Sequence, residues 1–222
     1  MTPIAATTPR APRLTLDFFH DVVCGWCFNI SPRLRTLTYE FDLDVRHRTF
    51  VLQDSPERME AVWGSPGQAR ETILGHWAAC RAASDAPERF NIDGMRRADF
   101  DYPHGLPAAL ACKAAEALEG QSGHWAMFDR LQRAHLTEIR NIADAGTLLQ
   151  LARDLGVDGA RFEAVMAAPE TRGAVEQDRL LARRLQVQTV PTIIVRETGA
   201  RLINGPLDDL RAQLQTALRL VA

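Results

Sequence analysis

Residues 24 to 27 read Cys-Gly-Trp-Cys, two thiols held two residues apart. If this tetrapeptide opens a helix, the second sulfur lies one turn deeper than the first, close enough to close a small disulfide ring. The first sulfur then stands at the helix N-terminus, where unpaired backbone N–H groups and the macrodipole favour a thiolate over a thiol. Attack by the first sulfur on a disulfide, followed by attack by the second on the mixed disulfide, completes a thiol–disulfide exchange without a cofactor. Cys24 is the candidate nucleophile and Cys27 the candidate resolving group.

The bland readings of this pair are a structural dithiol and half of a zinc site. A closed zinc site needs four ligands, and Cys80 and Cys112 are neither paired nor flanked by a histidine at ligand spacing, so no metal site is expected. Both sit in Ala-rich contexts, where a free cysteine is usually a small buried hydrophobe. His76, His104, His124 and His135 show no pairing pattern and read as structural or surface residues. His20 is near enough to Cys24 to tune its charge, against a solvated or capping role. Asp21 reads as a cap or turn residue, and Trp26 either as the wall of an apolar peptide groove or as ordinary packing.

The elements that must position these groups follow from periodicity. Residues 14–19 are apolar and aromatic, a strand running into the dithiol, and residues 31–41 carry a helix onward past Pro32. Residues 43–50 alternate, with Leu43, Val45 and His47 opposite Asp44, Arg46 and Arg48, as a half-buried strand does. From about residue 56 to 165 strand signals vanish, and helix-period segments are expected at 67–83, 107–118, 125–136, 143–154 and 159–166. The sheet pattern then resumes with a helix at 171–185, strands at 192–196 and 201–204, and a closing amphipathic helix at 207–221. Pro191 opens the first of these late strands, a position where its missing N–H is tolerated.

Bulk properties bound the function. A chain of 222 residues with 46% hydrophobic content can bury a large core, and its formal charge of −2 lacks the electrostatic footprint of a nucleic-acid binder. Lys113, the one lysine, lies in an Ala-rich helix and reads as solvated or ion-paired, not as a Schiff-base nucleophile. Residues 1–13 read as a disordered leader without a signal-peptide core, and no stretch approaches the roughly 18 apolar residues of a membrane span. Four cysteines are too sparse for a secreted disulfide scaffold. A cytoplasmic location with no membrane partner is expected.

Asp21-Val22-Val23-Cys24-Gly25-Trp26-Cys27, Thr189-Val190-Pro191-Thr192 and Asn204-Gly205-Pro206 before the last helix together resemble the DsbA-like branch of the thioredoxin superfamily, and within it the FrnE-like cytoplasmic oxidoreductases. The resemblance covers roughly residues 14 to 221. It implies an α/β thioredoxin-like fold assembled from residues 14–55 and 166–222, with an all-helical insertion domain over 56–165. It implies an exposed Cys24, a buried Cys27, a cis Pro191 facing them, and a Val190 whose backbone meets a bound peptide by strand addition. The family's buried acidic residue, which manages the resolving thiol's proton, falls on Asp17.

The implied activity is that of a protein thiol–disulfide oxidoreductase or isomerase working through a mixed disulfide. Its partners would be disulfide- or dithiol-containing proteins or small thiols, with no cofactor and with glutathione as an admissible redox partner. Gly25 and Trp26 supply no histidine to stabilise the nucleophile's thiolate, so a milder oxidant than DsbA is expected; about 30 mV corresponds to about 1.4 kcal/mol for a two-electron couple. Two other readings stand beside it. Glutathione-linked isomerases or transferases of the 2-hydroxychromene-2-carboxylate isomerase and kappa type share the inserted-helix architecture but carry serine at the nucleophile position. A redox-independent chaperone would use the groove around Trp26 and Val190 alone.

Overall fold

In the computed structural model, which describes residues 14–221, the strand that runs into the dithiol is the centre of the molecule. The leader expected over residues 1–13 lies outside the described residues. Strand β1 (Leu14–His20) pairs in parallel with β2 (Leu43–Thr49) and antiparallel with β3 (Thr192–Val195), and β3 pairs antiparallel with β4 (Arg201–Leu202), giving the order β2-β1-β3-β4. β1 is covered on both faces. Leu14, Leu16 and Phe18 enter the main core, while Phe19 packs on the other side with Ala182, Val187 and Ile194. This double burial explains why β1 reads as a nearly continuous apolar run.

Helix α1 (Gly25–Glu40) joins β1 to β2, with Cys24 as its N-cap in extended conformation. Between β2 and β3 come α2 (Pro56–Trp63), α3 (Pro66–Ala82), a 3-10 turn (Pro87–Arg89), α4 (Ile92–Arg96), α5 (Leu106–Leu136), α6 (Ala145–Asp154), α7 (Gly159–Ala167) and α8 (Pro169–Arg184); α9 (Leu207–Val221) closes the chain. The starts follow local chemistry. Ser55 caps α2 and Ser65 with Gln68 forms a capping box on α3, each followed by a proline in the first turn, where its lost N–H costs nothing.

Two expected helices, 107–118 and 125–136, belong to one run broken at Gly120, whose φ of 70° and ψ of −161° only glycine adopts without strain. Helices α2 and α4 carry few buried residues, Met59 in the first and Ile92 and Met95 in the second, so no apolar period announced them. The strand expected at 201–204 stops at Leu202.

The inserted helices do not hold a core of their own. Leu74 and Trp77 of α3 and Phe128 and Leu131 of α5 join Leu16 and Phe18 of β1, Leu34 and Leu37 of α1 and Leu210 and Leu214 of α9 in one contiguous apolar cluster. The dithiol lies at this junction, with sheet beneath it and inserted helices over it.

Candidate active site

The geometry at the start of α1 is that of a helix cap made by sulfur. Cys24 Sγ accepts the backbone N–H of Cys27 at 3.3 Å, closing the first turn in the way an Ser or Asp oxygen would. The same sulfur lies 3.6 Å from the carbonyl oxygen of Val190, and the Val190–Pro191 peptide is cis. Val190, the residue before the cis Pro191, therefore faces the Cys24 sulfur. Cys27 is fully buried, and Cys24, expected to be exposed, is itself buried at 8% exposure, because the Val190 carbonyl and the groove wall of Trp26 and Trp77 cover its sulfur. Burial pushes the Cys27 thiol well above its ordinary range, and the adjacent Cys24 sulfur and the Asp21 charge push in the same direction.

The groove in front of Cys24 is an apolar cavity of about 180 Å³, walled by Trp26, Leu52, Trp63, Ile73, Trp77 and Val190. Trp26 stands at its rim, 37% exposed. Met59, Tyr102 and Pro103 also line a second, larger cavity of about 430 Å³, whose rim carries Glu57, Glu60 and Asp101. The two cavities share this wall.

Cys80 lines the dithiol groove as well. A Cβ on Gly25 would meet Cys80 Sγ at 3.0 Å and Phe90 Cε1 at 3.2 Å, so the absence of a side chain at position 25 is matched to this third thiol. Burial holds the Cys80 thiol up at about 12, so it stays protonated and inert as a nucleophile. Cys112 is fully buried in α5, with its thiol likewise pushed up by burial. Both behave as the small hydrophobes expected of them.

The turn between β1 and α1 is held from the inserted helices, by residues that sequence reasoning passed over. The buried Gln132 amide of α5 donates to the carbonyls of Val22 and Cys24 at 3.2 and 3.1 Å. Tyr102 donates to the Val23 carbonyl at 3.4 Å and is itself fixed by the Trp77 indole N–H and by His135. A lone glutamine or tyrosine in a helical stretch carries no signal of such a role; only the packing of α5 under the turn reveals it.

The acidic residue beside the dithiol is Asp21, not Asp17. On β1, Asp17 points with Phe19 away from the main core, where its carboxylate binds Arg48 at 2.8 Å and Arg196 at 2.6 Å. Burial works against that charge, but the hydrogen bonds from Arg196 and Arg48 outweigh it and hold Asp17 below its usual value. The strand's two-residue alternation is the reason: positions 16, 18 and 20 share one face and 17 and 19 the other. Asp21 follows the strand. Its buried carboxylate accepts from the N–H groups of Leu52 at 2.6 Å and Val23 at 3.3 Å, and burial raises its pKa despite those bonds. Gly105 leaves room for it, since a Cβ there would come within 2.6 Å of Asp21 Oδ1.

His20 is neither solvated nor a cap. It is buried, with Nε2 turned to His47 Nδ1 at 3.1 Å and His124 Nε2 at 3.2 Å. Burial, then the neighbouring His124 and Lys113, lower its pKa well below the usual imidazole value. His124, which showed no pairing pattern in the sequence, thus has two histidine partners, brought together because α5 packs against β1 and β2. Among the described residues these three imidazoles form one group whose ligand atoms all lie within 4.8 Å of one another. Lys113 is ion-paired, to Glu116 and Asp178 at 2.7 Å each.

Comparison with known proteins agrees with this architecture. The chain is 31% identical to the cytosolic disulfide reductase DsbM from Pseudomonas aeruginosa, covering 93% of this chain and 100% of that one with a TM-score of 0.71; the form of DsbM with GSH gives 0.73. A 2-hydroxychromene-2-carboxylate isomerase shares the fold at 15% identity, with a TM-score of 0.61 over 93% of this chain and 95% of that one. The ClpXP adapter protein SpxH of Shouchella clausii is 27% identical over 188 residues, 84% of this chain, and the chain spans only 59% of that relative's length. The family model described as a DSBA-like thioredoxin domain matches residues 15–215, and the chain belongs to that family.

Proposed function

We propose that this protein is a dithiol oxidoreductase that exchanges disulfides through a mixed disulfide at Cys24. One observation carries the reading. The Cys24 sulfur caps α1, between the Cys27 N–H and the Val190 carbonyl, at the mouth of an apolar groove. A thiolate there keeps the N–H donor, and a substrate chain laid along Val190 can present a sulfur to it.

The Cys24 thiolate attacks one sulfur of a substrate disulfide; a Cys24–substrate bond forms, the substrate bond breaks, and the released thiolate takes a proton. The Cys27 thiol then loses its proton to the Asp21 carboxylate and attacks Cys24 Sγ, releasing the second substrate thiol and closing the Cys24–Cys27 disulfide. The enzyme dithiol gives up two electrons and the substrate gains them. Asp21 suits this role because it is buried, its charge acts on Cys27, and its own proton affinity is raised. His20 and Asp17 take no part in it.

Reduction of small or protein disulfides in the cytoplasm, with glutathione returning the electrons, is the direction the reading favours. Support comes from the description of DsbM as cytosolic and with GSH. No helix of the described residues is long and apolar enough to cross a membrane. The presence of both cysteines disfavours a glutathione-linked isomerase with a lone nucleophile.

The test is a trap. Cys27→Ser, incubated with glutathione disulfide or a disulfide-bearing protein, should accumulate a mixed disulfide at Cys24, seen as a mass increment on non-reducing analysis. Cys24→Ser should accumulate none. Absence of any adduct on Cys27→Ser in every redox buffer would exclude the mechanism.

A further inference from the structure

We infer that His20, His47 and His124 form a transition-metal site that binds zinc, separate from the dithiol. The three rings come from different elements, the end of β1, the middle of β2 and the second half of α5, and each is at most 1% exposed. Their nitrogens converge on a common point, with His20 Nε2 at 3.1 Å from His47 Nδ1 and 3.2 Å from His124 Nε2. Two imidazole nitrogens each about 2.0–2.1 Å from a tetrahedral zinc would stand roughly 3.3 Å apart. The two spacings from His20 match this value, and the third, between His47 and His124, lies within 4.8 Å.

Proton counting points the same way. Each neutral imidazole nitrogen carries either one hydrogen or one lone pair. His124 Nδ1 lies 2.7 Å from the Glu116 carboxylate, so it bears the hydrogen and leaves the Nε2 lone pair facing His20. If His20 Nε2 donates to that lone pair, it has nothing left to offer His47 Nδ1; if it accepts from His47, it faces His124 lone pair to lone pair. One of the two contacts is always unsatisfied by hydrogen bonding, whereas a cation at the point of convergence satisfies three lone pairs at once.

At His124 the surroundings match a metal-binding histidine shell, while His20 Nδ1 and His47 Nε2 are buried without a hydrogen-bond partner. Glu116 accepts from His124 Nδ1 as an outer carboxylate that orients the ring and supplies counter-charge. Gln121 donates to the other Glu116 oxygen and accepts the His47 backbone N–H, tying α5 to β2 at the site. Phe18, Phe128 and Trp125 pack against the imidazoles. No protein group supplies a fourth ligand among the described residues, so the remaining position falls to water. The site joins both parallel strands to the insertion, and its occupant would be structural.

The experiment uses the full chain with the Cys24–Cys27 disulfide closed, so that the dithiol cannot compete. Zinc is added to the folded protein and, separately, supplied during refolding, and bound metal is measured after gel filtration. One zinc per chain is expected, with a Tm raised by about 5–10 °C at zinc roughly 100-fold above Kd. Cobalt should give visible d–d bands without a sulfur-to-cobalt band in the near ultraviolet. His47→Phe should abolish binding, and Glu116→Gln should weaken it by about 10- to 100-fold. Metal-free protein by both loading routes, a sulfur-to-cobalt band, or full binding by a folded His47→Phe variant would overturn the proposal. If His47→Phe does not fold, the wild-type cobalt spectrum decides.

Discussion

Asp21→Asn separates two opposite effects that a carboxylate can have on the resolving thiol. As a charge, Asp21 adds to the burial that keeps Cys27 protonated, so removing it makes the thiol easier to ionise. As a proton acceptor, it carries away the proton that Cys27 must lose, so removing it slows the resolving step. The amide keeps one oxygen for the Leu52 or Val23 N–H and preserves the volume that Gly105 leaves free. General-base catalysis is worth about 10² to 10⁴ in rate. With the charge effect offsetting part of it, resolution should slow by about 10- to 100-fold, a barrier increase of about 1.4–2.7 kcal/mol. The assay is single-turnover: form the Cys24–glutathione mixed disulfide by mixing with glutathione disulfide, quench with acid and alkylate, and follow loss of the adduct by mass over a range of pH. Asp17→Asn, run in parallel, should resolve at the wild-type rate because its carboxylate serves Arg48 and Arg196. Unchanged or faster resolution in Asp21→Asn, or a tenfold slowing in Asp17→Asn, would refute the reasoning.

Gly25→Ala should lose about 1–3 kcal/mol in urea unfolding through overpacking against Cys80 Sγ, and Gly25→Ala with Cys80→Ala should recover much of it; strictly additive losses would show that the contact is irrelevant. Asp17→Asn should lower stability by about 2–3 kcal/mol at neutral pH, below the full cost of breaking a buried pair because Arg48 keeps Asp178 and Arg196 is partly solvated. Since the folded pKa of Asp17 is lowered, its contribution is complete above the ordinary carboxylate value of about 3.9 and disappears as pH falls through the lowered value. The gap between wild type and variant should therefore narrow on strong acidification; a gap constant with pH would contradict this. In a glutathione buffer, the Cys24–Cys27 couple should settle between about −120 mV, the DsbA value, and about −270 mV, the thioredoxin value; a potential at or above the first would rule out the mild-oxidant reading of Gly25-Trp26.

What could be read from the chain alone was whatever depends on neighbours in sequence. The Cys24–Cys27 spacing, the strand before it, the alternation of residues 43–49 and the helical period of the insertion are local patterns, and each appears where the periodicity put it. Even the small-residue contexts of Cys80 and Cys112 were enough to predict their burial. What depends on which surfaces meet was not legible. Asp17 and Asp21 lie seven and three residues before Cys24, and only strand pleat and double burial send the first to Arg48 and Arg196 and leave the second with its charge acting on Cys27. Gln132 and Tyr102 reach the active-site turn across more than 75 residues. His20, His47 and His124 lie 27 and 104 residues apart, counted from His20, and share no motif. They converge because α5 buries its face on two parallel strands, and the energy of that apolar contact, not any local preference of histidine, places three ring nitrogens at one point.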